Sequence, residues 1–417
     1  MCWCFGQYTT TCSDCLNIEF ADYNDILMTR YPANGECRFS HHTFATDELR
    51  GQVVRIPCAD AIPVFNPHPD QFASAANLLR EANVRHILLI HGTFAGGDIT
   101  GFVREVKRYS PVQASRINEL SKAWFDELAG DVGNYTDGFT KQLYGLINTP
   151  GLPAISVERF GWSGENHHIG RADGAVALLR KLHLMNRKGR LLVMAHSHGG
   201  NLLAMLSQIV GASHEAKESF FQATRLHYHN PFRSKVDLQD WTFAREILLD
   251  GSGPRGEIDI VTFGTPLRYR WNEVLVPRLL HFTQHRDTEG RDPHMAVFPK
   301  SVGDVVNAAG GDYIQHLGIA GTDFLPSIFA WRDVVVERRL HRIFESSVRR
   351  RDLFKKLKQG RRESADGKTL LVDYAATPGR ENQKLFGHGV YTSPAWLRFH
   401  LENICKHFYL RGEGAGA

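Results

Sequence analysis

The sequence predicts an α/β protein with a mostly parallel central sheet and helices on both of its faces. Short apolar runs bounded by turn residues recur along the chain, and segments with helical periodicity lie between them. This alternation is typical of parallel sheets, because two parallel neighbours need a crossover connection, usually a helix. The predicted strands are 86–91, 154–160, 190–196, 258–263, 278–283 and 369–374.

The remaining segments give the predicted domain organisation. Residues 1–60 show little periodicity and are predicted to form an N-terminal extension that contains cysteines, ahead of a main domain at 61–410. Helices are predicted at 169–186 and 198–211, each after a strand. Long lid-like insertions interrupt the alternation near residues 97–150, 213–256 and 295–366.

Composition narrows the class of protein. The chain has 417 residues, of which 42% are hydrophobic and 23% charged, as is ordinary for a soluble enzyme. It has no run of eighteen apolar residues, and the N-terminus lacks the basic start and apolar core of a signal peptide. The expected location is therefore cytoplasmic. A net charge of +4 gives no reason to expect a nucleic-acid partner.

Seven cysteines offer two interpretations. Five of them lie near the N-terminus, at Cys2, Cys4, Cys12, Cys15 and Cys37. Close pairs of this kind can bind zinc, although structural sites usually have two-residue spacers in both halves. The odd count and the scattered remainder favour free thiols in a reducing compartment.

The most informative segment runs from Arg190 to Asn201. A buried apolar run ends in Ala-His-Ser-His-Gly, with Ser197 at its centre, and an amphipathic segment follows. This is a near match to the G-x-S-x-G elbow, a sharp strand-to-helix turn that exposes a serine above a sheet. Small residues are needed two positions either side, because the helix passes close to the strand. Ala195 stands where the pattern has glycine.

Two further glycine turns accompany this elbow. The predicted strand 86–91 ends in His91-Gly92-Thr93-Phe94. Near the C-terminus, His388 lies in the glycine-flanked loop Leu385-Phe-Gly-His-Gly-Val-Tyr391, after the predicted strand 369–374. A histidine in such a loop can reach a serine at the elbow. The order of serine followed by a late histidine matches the elbow pattern.

Together these segments resemble the α/β-hydrolase superfamily, within its lipase- and esterase-like branch. The resemblance spans residues 86–391, about three quarters of the chain. It rests on His91-Gly-Thr-Phe-Ala, Arg159-Phe-Gly-Trp-Ser-Gly-Glu-Asn166, Ala195-His-Ser-His-Gly-Gly, Val261-Thr-Phe-Gly-Thr-Pro266 and Gly387-His-Gly-Val-Tyr391. The α/β-hydrolase fold is accordingly the expected architecture.

The resemblance implies a serine carboxylic-ester hydrolase that works through an acyl-enzyme and needs no cofactor or metal. Ser197 would be the nucleophile and His388 the general base. The backbone N–H of His198, with that of Thr93 or Phe94, would form the oxyanion hole.

In the fold that the sequence resembles, the acid that orients the histidine lies in the loop after the seventh strand of the sheet. If the predicted strand 278–283 corresponds to that seventh strand, Asp287 is the first candidate. Asp292 follows closely in an Asp-Pro turn, and the long insertion behind it leaves two further candidates open, Asp312 and Asp323. An Asp at any of these positions could hold the imidazole in the required tautomer.

The same stretch suggests a rival metal chemistry. Imidazole and carboxylate ligands suit zinc or manganese. The candidate ligands are His281, His285, Asp287, Asp292 and His294. A metal hydrolase would have no use for the elbow, the His-Gly turn and the late histidine, so the serine chemistry is the favoured interpretation.

Residues 338–362 bear on the substrate and partners. Eleven Lys or Arg occur there, and apolar residues recur at helical spacing, including Leu340, Ile343 and Phe344. Such a helix suits peripheral contact with an anionic membrane, and the ordinary alternative is a solvated helix whose apolar stripe packs on the core. With the aromatic insertion at 213–256, this favours a lipid-like ester. A phospholipase or acyltransferase and an inactive interaction module of the same fold are the alternatives.

Overall fold

The structure is a computed structural model, and it describes most of the chain. The described residues are 39, 51–93, 134–185, 188–229, 237–254, 256–292, 294–319, 331–345, 360–374 and 384–410. The chain divides into two compact units, residues 1–38 and 39–417. All described residues belong to the second unit.

The second unit is built on one sheet in which every neighbouring pair of strands is parallel. Seven strands occur among the described residues: β1 (Gln52–Ile56), β2 (Val84–Ile90), β3 (Ser156–Phe160), β4 (Arg190–His196), β5 (Ile258–Phe263), β6 (Arg278–Gln284) and β7 (Lys368–Val372). Their order across the sheet is β1-β7-β6-β5-β4-β2-β3.

Helices occupy most of the connections between strands. They are α1 (Ala73–Glu81), α2 (Asp137–Ile147), α3 (His168–Leu184), α4 (His198–Gly211), α5 (His214–Tyr228), α6 (Gln239–Leu249), α7 (Val302–Val306), α8 (Tyr313–Ile319), α9 (Trp331–Glu345) and α10 (Leu397–Phe408). Three 3₁₀ helices lie at Pro69–Phe72, Gly389–Thr392 and Pro394–Trp396.

Both faces of the sheet are buried. Alternate strand residues such as Leu89, Met194 and Phe282 form one core with α1, α2 and α10. Their sequence neighbours Leu88 and Val193 are also buried and point to the opposite face, because side chains alternate along a strand. The near-continuous apolar strands in the sequence follow from this arrangement, in which neither face meets water.

The predicted class and strands are confirmed. All six predicted strands are present, and 190–196 and 258–263 match β4 and β5 in both bounds. Helices also follow β3 and β4 as predicted. The insertion at 97–150 contains α2, but residues 94–133 lie outside the described part. The insertion at 213–256 forms α5 and α6, and the one at 295–366 contains α7, α8 and α9.

The predicted N-terminal boundary needs correcting. Residues 52–56 form β1, which pairs with β7 along its whole length and therefore belongs to the main sheet. The compact unit begins at residue 39, not at residue 61. Edge strands are harder to recognise than central ones, and β1 is short and only partly buried. Of the cysteines, Cys58 and Cys405 are free thiols, and the five N-terminal ones lie outside the described residues.

The described part of the basic stretch is packed on the protein. Leu340, Ile343 and Phe344 of α9 are buried, and the Phe344 ring stacks on Phe39 at a centroid distance of 5.0 Å. This agrees with the alternative in which the apolar stripe of α9 packs on the core. Residues 346–359 lie outside the described residues. No helix in the described ranges is long and apolar enough to cross a membrane.

Two buried histidines should make the fold sensitive to acid. Burial lowers the pKa of His281 to about 4 and that of His400 to about 3. In the unfolded chain both titrate near 6.5, so the unfolded state binds more protons between these values. The stability that their neutral forms contribute is present above the unfolded pKa and is lost as the pH falls from about 6.5 towards the folded pKa. We expect a slope of up to about 1.4 kcal/mol per pH unit for each histidine.

A variant separates this effect from general acid sensitivity. His400→Gln keeps a hydrogen-bonding group for the Tyr374 hydroxyl, which lies 3.0 Å from His400 Nε2. Urea unfolding between pH 7 and 4.5 should show a smaller slope in the variant, by the contribution of one histidine. Parallel slopes in the two proteins would contradict the assignment.

Candidate active site

Two of the residues singled out by the sequence, His91 and Ser197, lie at the same edge of the sheet. Chain order reverses between β2 and β4, because β2 leads outwards to β3 whereas β4 leads to β5 on the other side. In open parallel sheets, the crevice at such a switch point, beyond the carboxyl ends of the strands, is the usual ligand site. His91 follows β2 and Ser197 follows β4 at this point.

Ser197 lies in a strained backbone conformation between β4 and α4. Its φ of 53° and ψ of −131° are rare for a residue with a side chain. Two hydrogen bonds to the end of β5 fix it: Ser197 N–H donates to the Phe263 carbonyl (2.8 Å), and Thr265 Oγ1–H donates to the Ser197 carbonyl (2.8 Å). Strain held in this way is typical of functional positions.

The small residues of the elbow are required by close contacts. A Cβ at Gly199 would lie 2.7 Å from the His91 carbonyl oxygen, and one at Gly200 would lie 2.1 Å from Thr265 Oγ1. A Cβ at Gly92 would lie 2.6 Å from Ser197 Cβ and 3.3 Å from its Oγ. The turn formed by His91 and Gly92 therefore lies in direct contact with Ser197. Ala195 is fully buried, so its extra methyl group is accommodated.

His388 is paired with a buried carboxylate. Its Nδ1 lies 2.7 Å from Oδ2 of Asp312, and both side chains are almost completely buried. A carboxylate can only accept here, so Nδ1 carries the proton. The other ring nitrogen, Nε2, then bears a lone pair, and it has no hydrogen-bond partner among the described residues. This is the tautomer that a general base needs.

His388 and Ser197 both contact the backbone at the end of β5. Ser197 N–H is bonded to Phe263, and a Cβ on the next residue, Gly264, would lie 3.0 Å from His388 Cε1. His196 links the two further, since its ring lies 4.5 Å from the His388 ring between centroids and its Nε2 is 3.2 Å from the His388 carbonyl oxygen. The carboxyl end of β5 thus brings serine and histidine together.

The surroundings of Asp312 keep it ionised. Burial alone would raise the pKa of this carboxyl, but the charge and hydrogen bond of His388 outweigh it, with help from Arg362 and the Gln315 N–H. The net effect is a pKa below the ordinary value. The Gln315 N–H donates to Oδ1 (2.8 Å) and the Tyr391 hydroxyl to Oδ2 (3.0 Å). At neutral pH the carboxylate is therefore charged and fixed.

Asp287, the first candidate for the acid, lies elsewhere. Its carboxylate pairs with Arg55 and is half exposed, and its Oδ1 is 3.4 Å from His285 Nε2. The physical reason is the path of the chain after β6. His285 forms an antiparallel bridge with Gly311, which returns the chain to the end of β6 and places Asp312 beside the histidine. Asp292 is exposed, and Asp323 lies outside the described residues.

The candidate oxyanion donors are only partly described. Thr93 follows the Gly92 turn, and its hydroxyl is buried without a hydrogen-bond partner in the described structure. Phe94 lies outside the described residues. His198 is the first residue of α4, where backbone N–H groups have no partner within the helix. Its side chain is held by Asn201, whose Nδ2 lies 3.1 Å from His198 Nδ1.

The rival metal ligands do not converge. His281 Nδ1 lies 2.6 Å from Thr262 Oγ1 and its Nε2 lies 3.1 Å from the Asp366 carbonyl oxygen, so both ring nitrogens are used within the fold. Within the described ranges, no three His, Cys, Asp or Glu side chains come together in a way that could hold a metal ion. His285 Nε2 lies 3.4 Å from Asp287 Oδ1, and the Asp287 carboxylate also pairs with Arg55.

Three residues that support the site were given no role from the sequence. Gln315 and Tyr391 donate to the two oxygens of Asp312, and Thr265 holds the Ser197 carbonyl. Thr265 and Tyr391 stand in segments that carried the family resemblance, which is the only signal that could have found them. Gln315 donates through its backbone, so its side-chain type gave no signal.

Comparisons with known proteins identify no relative. No protein-family model, no curated protein and no solved structure matches this chain. A fold of this class serves many activities, so any statement about function must depend on the chemistry of the site itself.

Proposed function

We propose that this chain has the α/β-hydrolase fold and is a serine carboxylic-ester hydrolase, with Ser197, His388 and Asp312 as its triad. The proposal depends above all on the buried His388–Asp312 pair beside a serine in strained backbone. This arrangement matches the roles of nucleophile, base and orienting acid. Asp312 replaces Asp287 in the acid role, because its carboxylate accepts the hydrogen bond from His388.

In the proposed reaction, Ser197 Oγ attacks the ester carbonyl carbon while His388 Nε2 takes the hydroxyl proton. The C–O double bond becomes a tetrahedral oxyanion. His388 then donates the proton to the departing alcohol oxygen, the ester C–O bond breaks, and an acyl-enzyme remains. Water repeats the sequence in place of serine and releases the acid. Asp312 stays ionised throughout and stabilises the imidazolium.

The oxyanion would be stabilised by backbone N–H groups of the two turns that meet at Ser197. The His198 N–H at the start of α4 is one donor, and the positive end of the helix dipole adds to its effect. The Thr93 N–H is the second donor that the described residues offer. The contact of Gly92 with Ser197 supports this assignment, because it brings the turn after β2 against the nucleophile.

The packing of the aromatic residues bears on the acyl preference of the proposed hydrolase. Among the described aromatic residues of 213–256, Trp241 stacks on Phe220 (5.8 Å) and on Tyr228 (5.4 Å), and all three are buried in the core. The substrate class supported by the triad is therefore a carboxylic ester of a small molecule or a lipid. A series of p-nitrophenyl esters of increasing acyl length, with a phospholipid beside it, separates these substrates.

A serine-reactive organophosphonate probe tests the proposal. The native protein should be labelled once, at Ser197, and peptide mass spectrometry locates the label. His388→Gln should reduce the labelling rate at pH 7 strongly, since the serine loses its base. An unlabelled native protein would point to a binding module and overturn the proposal. Labelling at another serine would overturn the choice of Ser197.

A further inference from the structure

A closed set of hydrogen bonds surrounds the acid at the carboxyl end of β6. Gln284 N–H donates to the Tyr391 hydroxyl oxygen (2.7 Å), and the Gln284 carbonyl accepts the Asp312 N–H (3.1 Å). The guanidinium of Arg362 donates to the same carbonyl. The Tyr391 hydroxyl completes this cycle of hydrogen bonds by donating to Asp312 Oδ2 (3.0 Å). All of these groups are buried.

The direction of the Tyr391 hydrogen bond is determined by its partners. Its oxygen accepts from Gln284 N–H, so its own proton is available for Asp312. Burial, and then the nearby charge of Asp312, raise the pKa of the Tyr391 phenol well above the ordinary value, which keeps that proton in place. Oδ2 of Asp312 therefore accepts two protons, one from Tyr391 and one from His388 Nδ1.

The ring of Tyr391 has little freedom to move. A Cβ at Gly264 would lie 2.4 Å from Tyr391 Cε2, so the ring lies directly against backbone with a φ of +59°. Tyr374 contacts the ring edge to face at 5.9 Å, and His388 does the same at 5.9 Å. The phenol thus reaches Asp312 from a fixed position.

We propose that Tyr391 is a positioning residue for Asp312, whose hydroxyl fixes the carboxylate and takes up part of its negative charge. This inference rests on the proposed triad. Without the Tyr391 hydrogen bond, more negative charge would stay on the Asp312 carboxylate, which would then attract the proton on His388 more strongly. Other titratable or charged groups near the three residues are Arg362, His196, Tyr313 and Tyr374.

Tyr391→Phe removes one oxygen and keeps the ring. The acid limb of the pH profile of kcat/KM should then move to higher pH, by roughly half a unit to one unit. The plateau rate should also fall by about tenfold, because the carboxylate loses one of its fixed donors. A purely structural role would lower stability without moving the limb.

Tyr374→Phe is the matched control. Tyr374 is equally buried, and its hydroxyl meets His400 Nε2 at 3.0 Å instead of the triad. Tyr374→Phe loses one buried phenol hydrogen bond, whereas Tyr391→Phe loses two and leaves the buried Gln284 N–H without its acceptor, so Tyr391→Phe should lose more stability. Only Tyr391→Phe should move the acid limb. If the acid limb of the pH profile of kcat/KM lies at the same pH in the native protein and in both variants, the proposal is overturned.

Two further measurements keep the test independent of turnover and of a folding defect. Histidine NMR, with His388 assigned by its loss in His388→Gln, should show the same upward shift of the His388 titration midpoint in Tyr391→Phe. Fluorotyrosine at position 391 is a stronger donor and should shift the midpoint downwards. Unmoved midpoints would refute the role of Tyr391. A native protein that neither turns over nor labels would instead refute the hydrolase proposal.

Discussion

Ser197→Ala should abolish ester hydrolysis and leave the fold intact. Only the Oγ atom is lost, and alanine meets the same backbone strain at a φ of 53° as serine does. The two hydrogen bonds that fix this residue use its backbone N–H and carbonyl, so the variant keeps them. We expect kcat to fall on the order of 10⁶-fold, the scale seen when a triad nucleophile is removed.

Steady-state hydrolysis of p-nitrophenyl acetate measures this effect, with thermal unfolding to verify the fold. Ser207→Ala is the matched control on the same helix. It also removes one buried oxygen, which bonds to the Ala204 carbonyl, but it lies ten residues from the elbow. That variant should lose stability and keep its rate. Ser197→Ala with more than a few per cent of native activity would show that another group is the nucleophile.

His388→Gln should be nearly as severe, and the double variant Ser197→Ala/His388→Gln should be no worse than either single variant. The two residues act in one proton transfer, so removing either one ends the same step. Additive losses would mean that they work in separate processes. This cycle therefore tests the pairing of the two residues, for which Gly264 and His196 give the structural argument.

The sequence was sufficient for the central sheet because its strands are buried on both faces. Such strands appear as continuous apolar runs, and β4 and β5 were predicted to the residue. The edge strand β1 was missed for the opposite reason, since two of its five residues are exposed. The sequence also singled out Ser197 and His388 as candidate site residues, because each lies in a short turn with a characteristic pattern of glycines.

Asp312 could not be chosen among the four candidate aspartates in this way, because its place depends on a contact between distant segments. Asp287 stands three residues after β6, where a short loop would deliver it. The bridge between His285 and Gly311 instead brings back a residue 28 positions beyond the end of β6. The turn residue Gly311, with a φ of +98°, marks this return, but a glycine pair in a long insertion does not reveal its partner.

Asp312→Asn should lower kcat by roughly 10⁴-fold and leave KM nearly unchanged. Tyr391 and Gln315 both donate to the carboxylate, so the asparagine cannot satisfy all of its neighbours in one orientation. If its amide nitrogen occupies the Oδ2 position, it donates to His388 Nδ1. The imidazole proton then moves to Nε2, and the nitrogen that should accept the Ser197 proton no longer has a lone pair.

Asp287→Asn is the control that separates the two carboxylates. It changes the same functional group in the segment after β6, but Asp287 pairs with Arg55 at a half-exposed position. An exposed ion pair contributes about 1 kcal/mol or less, so this variant should keep its stability nearly unchanged and its kcat within about threefold. A severe loss in Asp287→Asn, with Asp312→Asn nearly normal, would mean that the 285–311 bridge opens during turnover. The acid would then have to reach His388 from the loop directly after β6.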